Sequence, residues 1–178
     1  DTIRKYAKAQ LGKELSEEEA QQMYDVKARY FHEMPEAKVF DGVIDLMQKI
    51  KASGLKIGIV TGSAQLPLIE RVTRDFGDFV SADQITTAYD VKRGKPNPDP
   101  YLMGLQKAGN YTPTEGIVVE NAPLGVHAGA AAGCYTVAIN SGPLDDSVLL
   151  NEGADILFPT IREFADYWEQ FLNRFPKY

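Results

Sequence analysis

The rhythm of apolar positions changes at about residue 55. Before it the spacing is helical. Ile3, Tyr6, Ala7 and Leu11 share one face of a helix over Asp1–Leu11, with Gly12 as its stop. Ser16 and Glu19 form a capping box for a second helix. That helix carries Ala20, Met23, Tyr24, Ala28 and Phe31 on one face, which predicts packing between the two helices. His32 at its end reads as a partner of the helix dipole or as a surface residue. Glu33–Asp41 is a polar connection with Pro35 as its hinge. Val43, Leu46, Met47 and Ile50 predict a third helix, N-capped by Asp41 and ended by Gly54.

From residue 55 onward, short apolar runs alternate with helical stretches. Leu55–Val60 reads as the first buried strand, followed by a helix over Leu66–Phe76. Phe79–Val80 and Ile85–Ala88 read as short strands or edges, Asp90–Pro98 as a loop, and Pro100–Ala108 as a helix. Ile117-Val118-Val119 is a continuous apolar run of the kind a parallel sheet buries on both faces. Behind it, Pro123 suits a helix start, and Gly125, Gly129 and Gly133 among alanines let that helix approach a sheet closely. Cys134–Ile139 and Ile156–Phe158 read as further strands, with a turn at Ser141-Gly142-Pro143 and a short helix at Asp146–Leu150 between them. Phe164, Trp168, Phe171 and Phe175 form the apolar stripe of a last helix. The alternation predicts a doubly wound α/β domain with a parallel sheet over residues 36–178 and a separate helical element over residues 1–35.

The chain has 178 residues, 44% of them hydrophobic, enough for one sizeable core. Its net charge of -6 argues against nucleic acid as the main partner. No apolar run reaches membrane-spanning length, so no membrane association is expected. No signal peptide is read. One cysteine, Cys134, precludes an internal disulfide, which points to a reducing, cytoplasmic setting. A monomer is expected. The chain opens on Asp1 rather than Met, apparently within a helix, so its start is expected to be missing.

Candidate chemistry gathers where strands end. Thr61-Gly62-Ser63 offers two hydroxyls, and Gly62 permits a tight turn and close backbone approach to an anion. The alternative is a plain strand-to-helix turn with Ser63 as N-cap. In Gly94-Lys95-Pro96-Asn97-Pro98-Asp99-Pro100, three residues precede a proline and are pushed towards extended conformations, so Lys95 stands on a stiff loop. Asp99 and Pro100 read as N-cap and first position of the next helix. Stiffness lowers the entropy lost when a lysine binds phosphate. Glu120 and Asn121 end the apolar run, where open α/β sheets place ligands; Asn121 could also cap the helix through Pro123. Hydroxyl, ammonium and oxygen ligands converging at one sheet edge suit a phosphoryl group and Mg²⁺. His127 reads as structural or exposed, and Cys134 as buried and inert.

Taken together and in order, Thr61-Gly62-Ser63, Gly94-Lys95-Pro96 and Glu120-Asn121 before an Ala/Gly-rich helix resemble motifs II, III and IV of the haloacid dehalogenase superfamily, nearest its β-phosphoglucomutase-like phosphatase and mutase branch. The resemblance implies a Rossmann-like core with a helical cap inserted after its first strand, residues before about 35 being the second half of that cap. It implies that Thr61, with the backbone of Gly62 and Ser63, binds the transferring phosphoryl group. Lys95 would bridge that group and the nucleophile. Asn121 would coordinate Mg²⁺, and Glu120 would hold the water shell of the ion and pair with Lys95.

The chain departs from the family pattern twice. The family opens on an apolar strand ending in Asp-x-Asp, whose first Asp is the nucleophile; no such stretch occurs here, and Val39–Gly42, the nearest imitation, falls at a helix start. The absent strand would sit in the middle of the sheet, so the chain is expected to lack that strand and the first half of the cap, and to be inactive alone. Asn121 stands where the family more often has Asp, which predicts weaker metal binding. The expected function is Mg²⁺-dependent phosphoryl transfer through an aspartyl-phosphate, as a phosphatase or phosphomutase on a small phosphorylated metabolite. An inorganic pyrophosphatase of the same family is the alternative. A non-catalytic phospholigand-binding module is the reading from another class.

Overall fold

A computed structural model describes residues 2–33 and 38–175, which fall into two compact units, Asp1–Val39 and Phe40–Tyr178. The first holds α1 (Thr2–Leu11) and α2 (Glu17–Glu33). The capping box forms: the Ser16 amide donates to Glu19 Oε2 at 2.9 Å and the Glu19 amide to Ser16 Oγ at 3.2 Å. Ala7 and Ala20 are buried, but Met23 and Tyr24 are exposed, contrary to the packing predicted for that whole face. Among the described side chains of this unit only Ala7 and Ala20 are buried, so the larger side chains of the stripe lie outside that contact. Pro35, and the side chains of Tyr6, Phe31 and His32, lie outside the described residues.

The second unit runs α3 (Val43–Ala52), β1 (Ile59–Val60), α4 (Leu66–Phe76), β2 (Ile85–Thr86), α5 (Asp99–Gly109), β3 (Ile117–Glu120), α6 (Pro123–Ala132), β4 (Tyr135–Ile139), α7 (Asp146–Asn151), β5 (Ile156–Phe158) and α8 (Ile161–Leu172). All pairings are parallel, as the alternation predicted. The sheet comes in two pieces, β1-β2 and β3-β4-β5. In the larger piece Glu120 lies opposite Ala138, and Ile139 opposite Phe158. Strand β4 alternates its faces: Val137 and Ile139 pack with Leu46, Phe164, Trp168 and Phe171 of α3 and α8, while Ala138 packs with Val126 and Leu149 of α6 and α7. The aromatic stripe of α8 is core, as its spacing predicted, and Phe175 just beyond the helix meets Tyr135 edge-on at 5.1 Å.

The glycines of α6 set its distance from the sheet. A Cβ on Gly129 would lie 2.8 Å from Thr136 Oγ1 and 3.0 Å from Val118 Cγ1. Any larger residue would lift the helix off the strands.

Local expectations fail at several points, each for a visible reason. Only Ile59–Val60 of the expected Leu55–Val60 strand pairs, because its partner is the two-residue β2, and Leu55 is exposed. Phe79–Val80 is a turn rather than a strand, although Val80 is buried. Asp41 does not cap α3. Gly42 takes the N-cap position with φ 91°, and Asp41 pairs instead with Arg162, whose Nε and Nη2 each lie 3.2 Å from its carboxylate.

Between β1 and β3 lies a cleft of about 420 Å³, lined by Met47, Val60, Tyr101, Val118, Val119 and Trp168 among others. Its walls are chiefly apolar. Among the described residues β1 pairs only with β2 and β3 only with β4, so the two strand edges facing the cleft carry no ladder.

Candidate active site

The ends of the strands that flank the cleft carry the polar groups. Beyond β1, the Thr61 amide donates to the Thr86 carbonyl at 2.8 Å, which extends the β1-β2 ladder by one step. The Thr61 hydroxyl accepts from the Ser63 amide at 3.1 Å, and the Ser63 hydroxyl accepts from the Gln65 amide at 3.1 Å. The loop is held from outside as well. The Ala88 amide donates to the Ser63 carbonyl at 3.2 Å, and the Tyr89 hydroxyl donates to the Ala64 carbonyl at 2.8 Å. Gln65, not Ser63, takes the N-cap position of α4. Gly62 is outside the left-handed region, and a Cβ there would meet nothing within 4 Å. The turn itself therefore does not require glycine, and the space beside it is open.

The Lys95 loop is braced by side chains rather than by its prolines alone. Asp90 accepts from the Thr87 amide at 2.7 Å and from Lys107 Nζ at 2.7 Å. The Lys107 ammonium and these donors hold the Asp90 carboxyl below the usual range. Arg93 grips Asp99 through two bonds of 3.0 and 2.7 Å. This corrects the expected cap: Pro98 takes the N-cap position of α5, and Asp99 is its first helical residue. From this support Lys95 reaches both sides of the cleft. Its ammonium donates to the Val60 carbonyl of β1 at 3.4 Å and to Glu120 Oε1 of β3 at 2.5 Å.

Every acceptor position of Glu120 is in use. Oε1 also accepts from the Tyr101 hydroxyl at 3.0 Å, and Oε2 accepts from the amides of Asn121 at 2.8 Å and Ala122 at 3.0 Å. Burial would push this carboxyl up, but the Lys95 charge and hydrogen bond, with the amide donors, hold it below its ordinary value. The same burial, with the Glu120 charge, pushes the Tyr101 phenol up, so the hydroxyl stays a donor. Gly125 makes room for this carboxylate, since a Cβ there would lie 2.1 Å from Glu120 Cδ. The start of α6 is thus served by Glu120, not by an Asn121 cap; Ala122 takes the N-cap position. Asn121 is exposed, and no hydrogen bond ties its carboxamide among the described residues.

The structure therefore brings Thr61, Lys95 and Glu120 to one edge, with Asn121 next in the chain. It brings neither His127, which pairs with Glu152 at 2.9 Å, nor Cys134, buried behind the site with its thiol pushed up by burial. Among the described residues no cluster of three His, Cys, Asp or Glu side chains could hold a metal ion. Tyr101 escaped the sequence reading, because an aromatic at the third position of a helix reads as core. The run from Lys95 to Pro100 just before it is the signal that would have placed it beside the site.

Residues 1–139 match the model of the haloacid dehalogenase-like hydrolases. The chain belongs to that family. It is 40% identical over 124 residues to hexitol phosphatase A of Escherichia coli (strain K12), which covers 70% of this chain and 55% of that protein. It is 33% identical over 131 residues to validoxylamine A 7'-phosphate phosphatase of Streptomyces hygroscopicus subsp. limoneus, covering 74% of this chain and 59% of that one. A solved structure from Bacteroides vulgatus, described as a candidate beta-phosphoglucomutase, superposes with a TM-score of 0.88 at 43% identity, over 99% of this chain and 71% of its own. The fold is thus the α/β Rossmann-like fold of the family, with its parallel sheet. The chain spans a little over half the length of the curated relatives it matches. Among the described residues no helix is long and apolar enough to cross a membrane.

Proposed function

We propose that this chain is the larger part of a phosphatase or phosphomutase that acts on a small phosphorylated sugar or polyol through an aspartyl nucleophile. The observation that carries the reading is the position of Lys95. Its ammonium bridges the ends of β1 and β3 across the cleft, meeting β1 at the Val60 carbonyl, one residue before Thr61. A cation held there offsets the charge that builds on a phosphoryl group in transfer. The Thr61 hydroxyl, oriented by the Ser63 amide, donates to a phosphoryl oxygen, and the amides of Gly62 and Ser63 lie in the same turn.

The cleft supports the placement of the nucleophile. Two parallel strand edges face each other across an apolar gap, and one added parallel strand would pair with both. A strand ending in Asp-x-Asp would set its first carboxylate beside Lys95 and Thr61. In this reading residues 1–178 alone hold no nucleophile and turn over nothing. The helices α1 and α2 belong to the cap.

The residues present fit Mg²⁺ as part of a coordination sphere rather than all of it. Asn121 would offer a neutral amide oxygen, Glu120, its acceptor positions already taken, would fix the Asn121 backbone rather than the water shell of the ion, and carboxylate and phosphate oxygens would complete the set. Bound there, the ion would neutralise phosphoryl charge. Asn121→Asp is expected to tighten Mg²⁺ binding in a metal titration; an unchanged affinity would count against Asn121 as a ligand. The names of a hexitol phosphatase and a candidate beta-phosphoglucomutase among the similar proteins favour hexitol and hexose phosphates as the substrate class. The test is phosphate release by the protein expressed from its whole reading frame, on a panel of hexitol phosphates, hexose phosphates and pyrophosphate, with Mg²⁺ and with chelator. Mg²⁺-dependent release from a sugar or polyol phosphate, abolished in Lys95→Ala, is expected. Release only from pyrophosphate would contradict the substrate class, and no release from any would contradict the activity.

A further inference from the structure

We propose that Tyr101 is a positioning residue that fixes the Lys95 ammonium between the two strand ends; this rests on the reading of Lys95 as the phosphoryl-binding cation. Two separate contacts point to it. The centroid of the Tyr101 ring lies 4.7 Å from Lys95 Nζ, within the range of a cation–π attraction. The Tyr101 hydroxyl donates at 3.0 Å to Glu120 Oε1, the same oxygen that receives Lys95. One side chain thus holds the lysine from below with its ring and steers the carboxylate partner of that lysine with its hydroxyl.

Packing alone does not call for a tyrosine. The ring lies in a small apolar cluster with Val118, Ala128, Ala132 and Cys134, against Val60 and Leu105, which a leucine or phenylalanine would fill. A hydroxyl taken into such surroundings destabilises unless an acceptor meets it. Glu120 supplies that acceptor at the one place where its orientation sets the lysine. Tyr101 is buried and sits in the first turn of α5, directly after the braced Lys95 loop, so its ring has little room to move. Lys95 has three N–H donors; the Val60 carbonyl and Glu120 take two, which leaves one for a phosphoryl oxygen. Without the hydroxyl, Oε1 loses one of its two donors and draws on Lys95 alone, while Oε2 keeps its two amides. Without the ring, nothing lies beneath the ammonium.

The test compares wild type, Tyr101→Phe, Tyr101→Leu and Lys95→Ala, all expressed from the whole reading frame, with p-nitrophenyl phosphate and Mg²⁺. Tyr101→Phe keeps the ring and is expected to lower kcat about fivefold with KM within about twofold. Tyr101→Leu loses both contacts and is expected to lower kcat about twentyfold. The proton signal of the Lys95 ε-methylene, assigned by its absence from Lys95→Ala, reads the contact directly. It is expected to move downfield in Tyr101→Leu and to stay near its wild-type position in Tyr101→Phe, an order that general loosening of the core does not produce. Wild-type kcat in folded Tyr101→Leu, beside an inactive Lys95→Ala, would overturn the role of Tyr101 and leave the functional reading standing. Wild-type activity in Lys95→Ala would overturn the functional reading, and the role of Tyr101 with it. Should Tyr101→Leu fail to fold, Tyr101→Phe decides, an unchanged kcat overturning the assignment.

Discussion

The two pieces of the sheet are built from similar material and differ in how completely they are paired. Strand β4 lies between two neighbours, and Thr136, Val137, Ala138 and Ile139 are all buried. Strand β1 has one neighbour and an edge on the cleft, and both its residues are half-buried. The contrast extends to a matched pair of threonines. Thr136 of β4 faces Gly129 of α6, and its hydroxyl donates to the Cys134 carbonyl at 3.1 Å. Thr86 of β2 faces Gly104 of α5, equally buried, but its hydroxyl has no partner among the described residues. Strand β4, paired on both sides, is the finished core of its piece. Strand β1 keeps an unpaired edge on the cleft, as β3 does on the opposite side, and Lys95 reaches both strand ends there.

The comparison breaks first at the core. Phe171, fully buried against Phe164, Trp168 and Tyr135, should cost about 3–5 kcal/mol on truncation to Ala. Val60→Ala on the cleft should cost about 1 kcal/mol. Equal shifts in urea unfolding would erase the distinction between the halves. Gly125→Ala comes next. Its Cβ must displace the Glu120 carboxylate, at about 1–3 kcal/mol of strain. It should also release Lys95 from its partner, and a crystal structure of the variant with Glu120 unmoved would contradict this.

The threonine pair tests polar satisfaction. Thr136→Val loses a hydrogen bond and should destabilise by about 1 kcal/mol. Thr86→Val replaces an unsatisfied hydroxyl with a methyl and should be neutral or stabilising by up to about 1 kcal/mol. Destabilisation by both would mean that the Thr86 hydroxyl has a partner after all.

The smallest effect concerns the loop beneath Lys95. The Asp90 carboxyl is held low by Lys107, so its contribution to stability is fully present above the unfolded value of about 3.9 and is lost as pH falls through the lower folded value. The difference in urea midpoint between wild type and Asp90→Asn should therefore be constant near neutrality and shrink below pH of about 3.9. A difference that persists at the acid end would assign the effect to packing.

What the sequence discloses follows the same division. Strands β3 and β4 and helix α6 are legible because burial on both faces leaves an unbroken apolar run, and close approach leaves a row of glycines. The Leu55–Val60 strand is over-read because hydrophobicity reports what could be buried, while a strand also needs a neighbour to pair with. Asp41 is misread because its partner, Arg162, lies 121 positions away and no local spacing records it. The convergence of Thr61, Lys95 and Glu120 was legible because Thr61 and Glu120 end apolar runs and Lys95 stands in a proline-rich loop. The part of Tyr101 was not, since its hydroxyl finds Glu120 across 19 positions.

The central claim is that the cleft between β1 and β3 receives a strand that carries the nucleophile. It is tested most directly by comparing residues 1–178 alone with the product of the whole reading frame, at equal concentration, for Mg²⁺-dependent phosphate release from a hexitol phosphate. The account predicts release by the whole product only, and a frame that adds an apolar strand ending in Asp-x-Asp. Turnover by residues 1–178 alone, or a whole frame that adds no such strand, would contradict it.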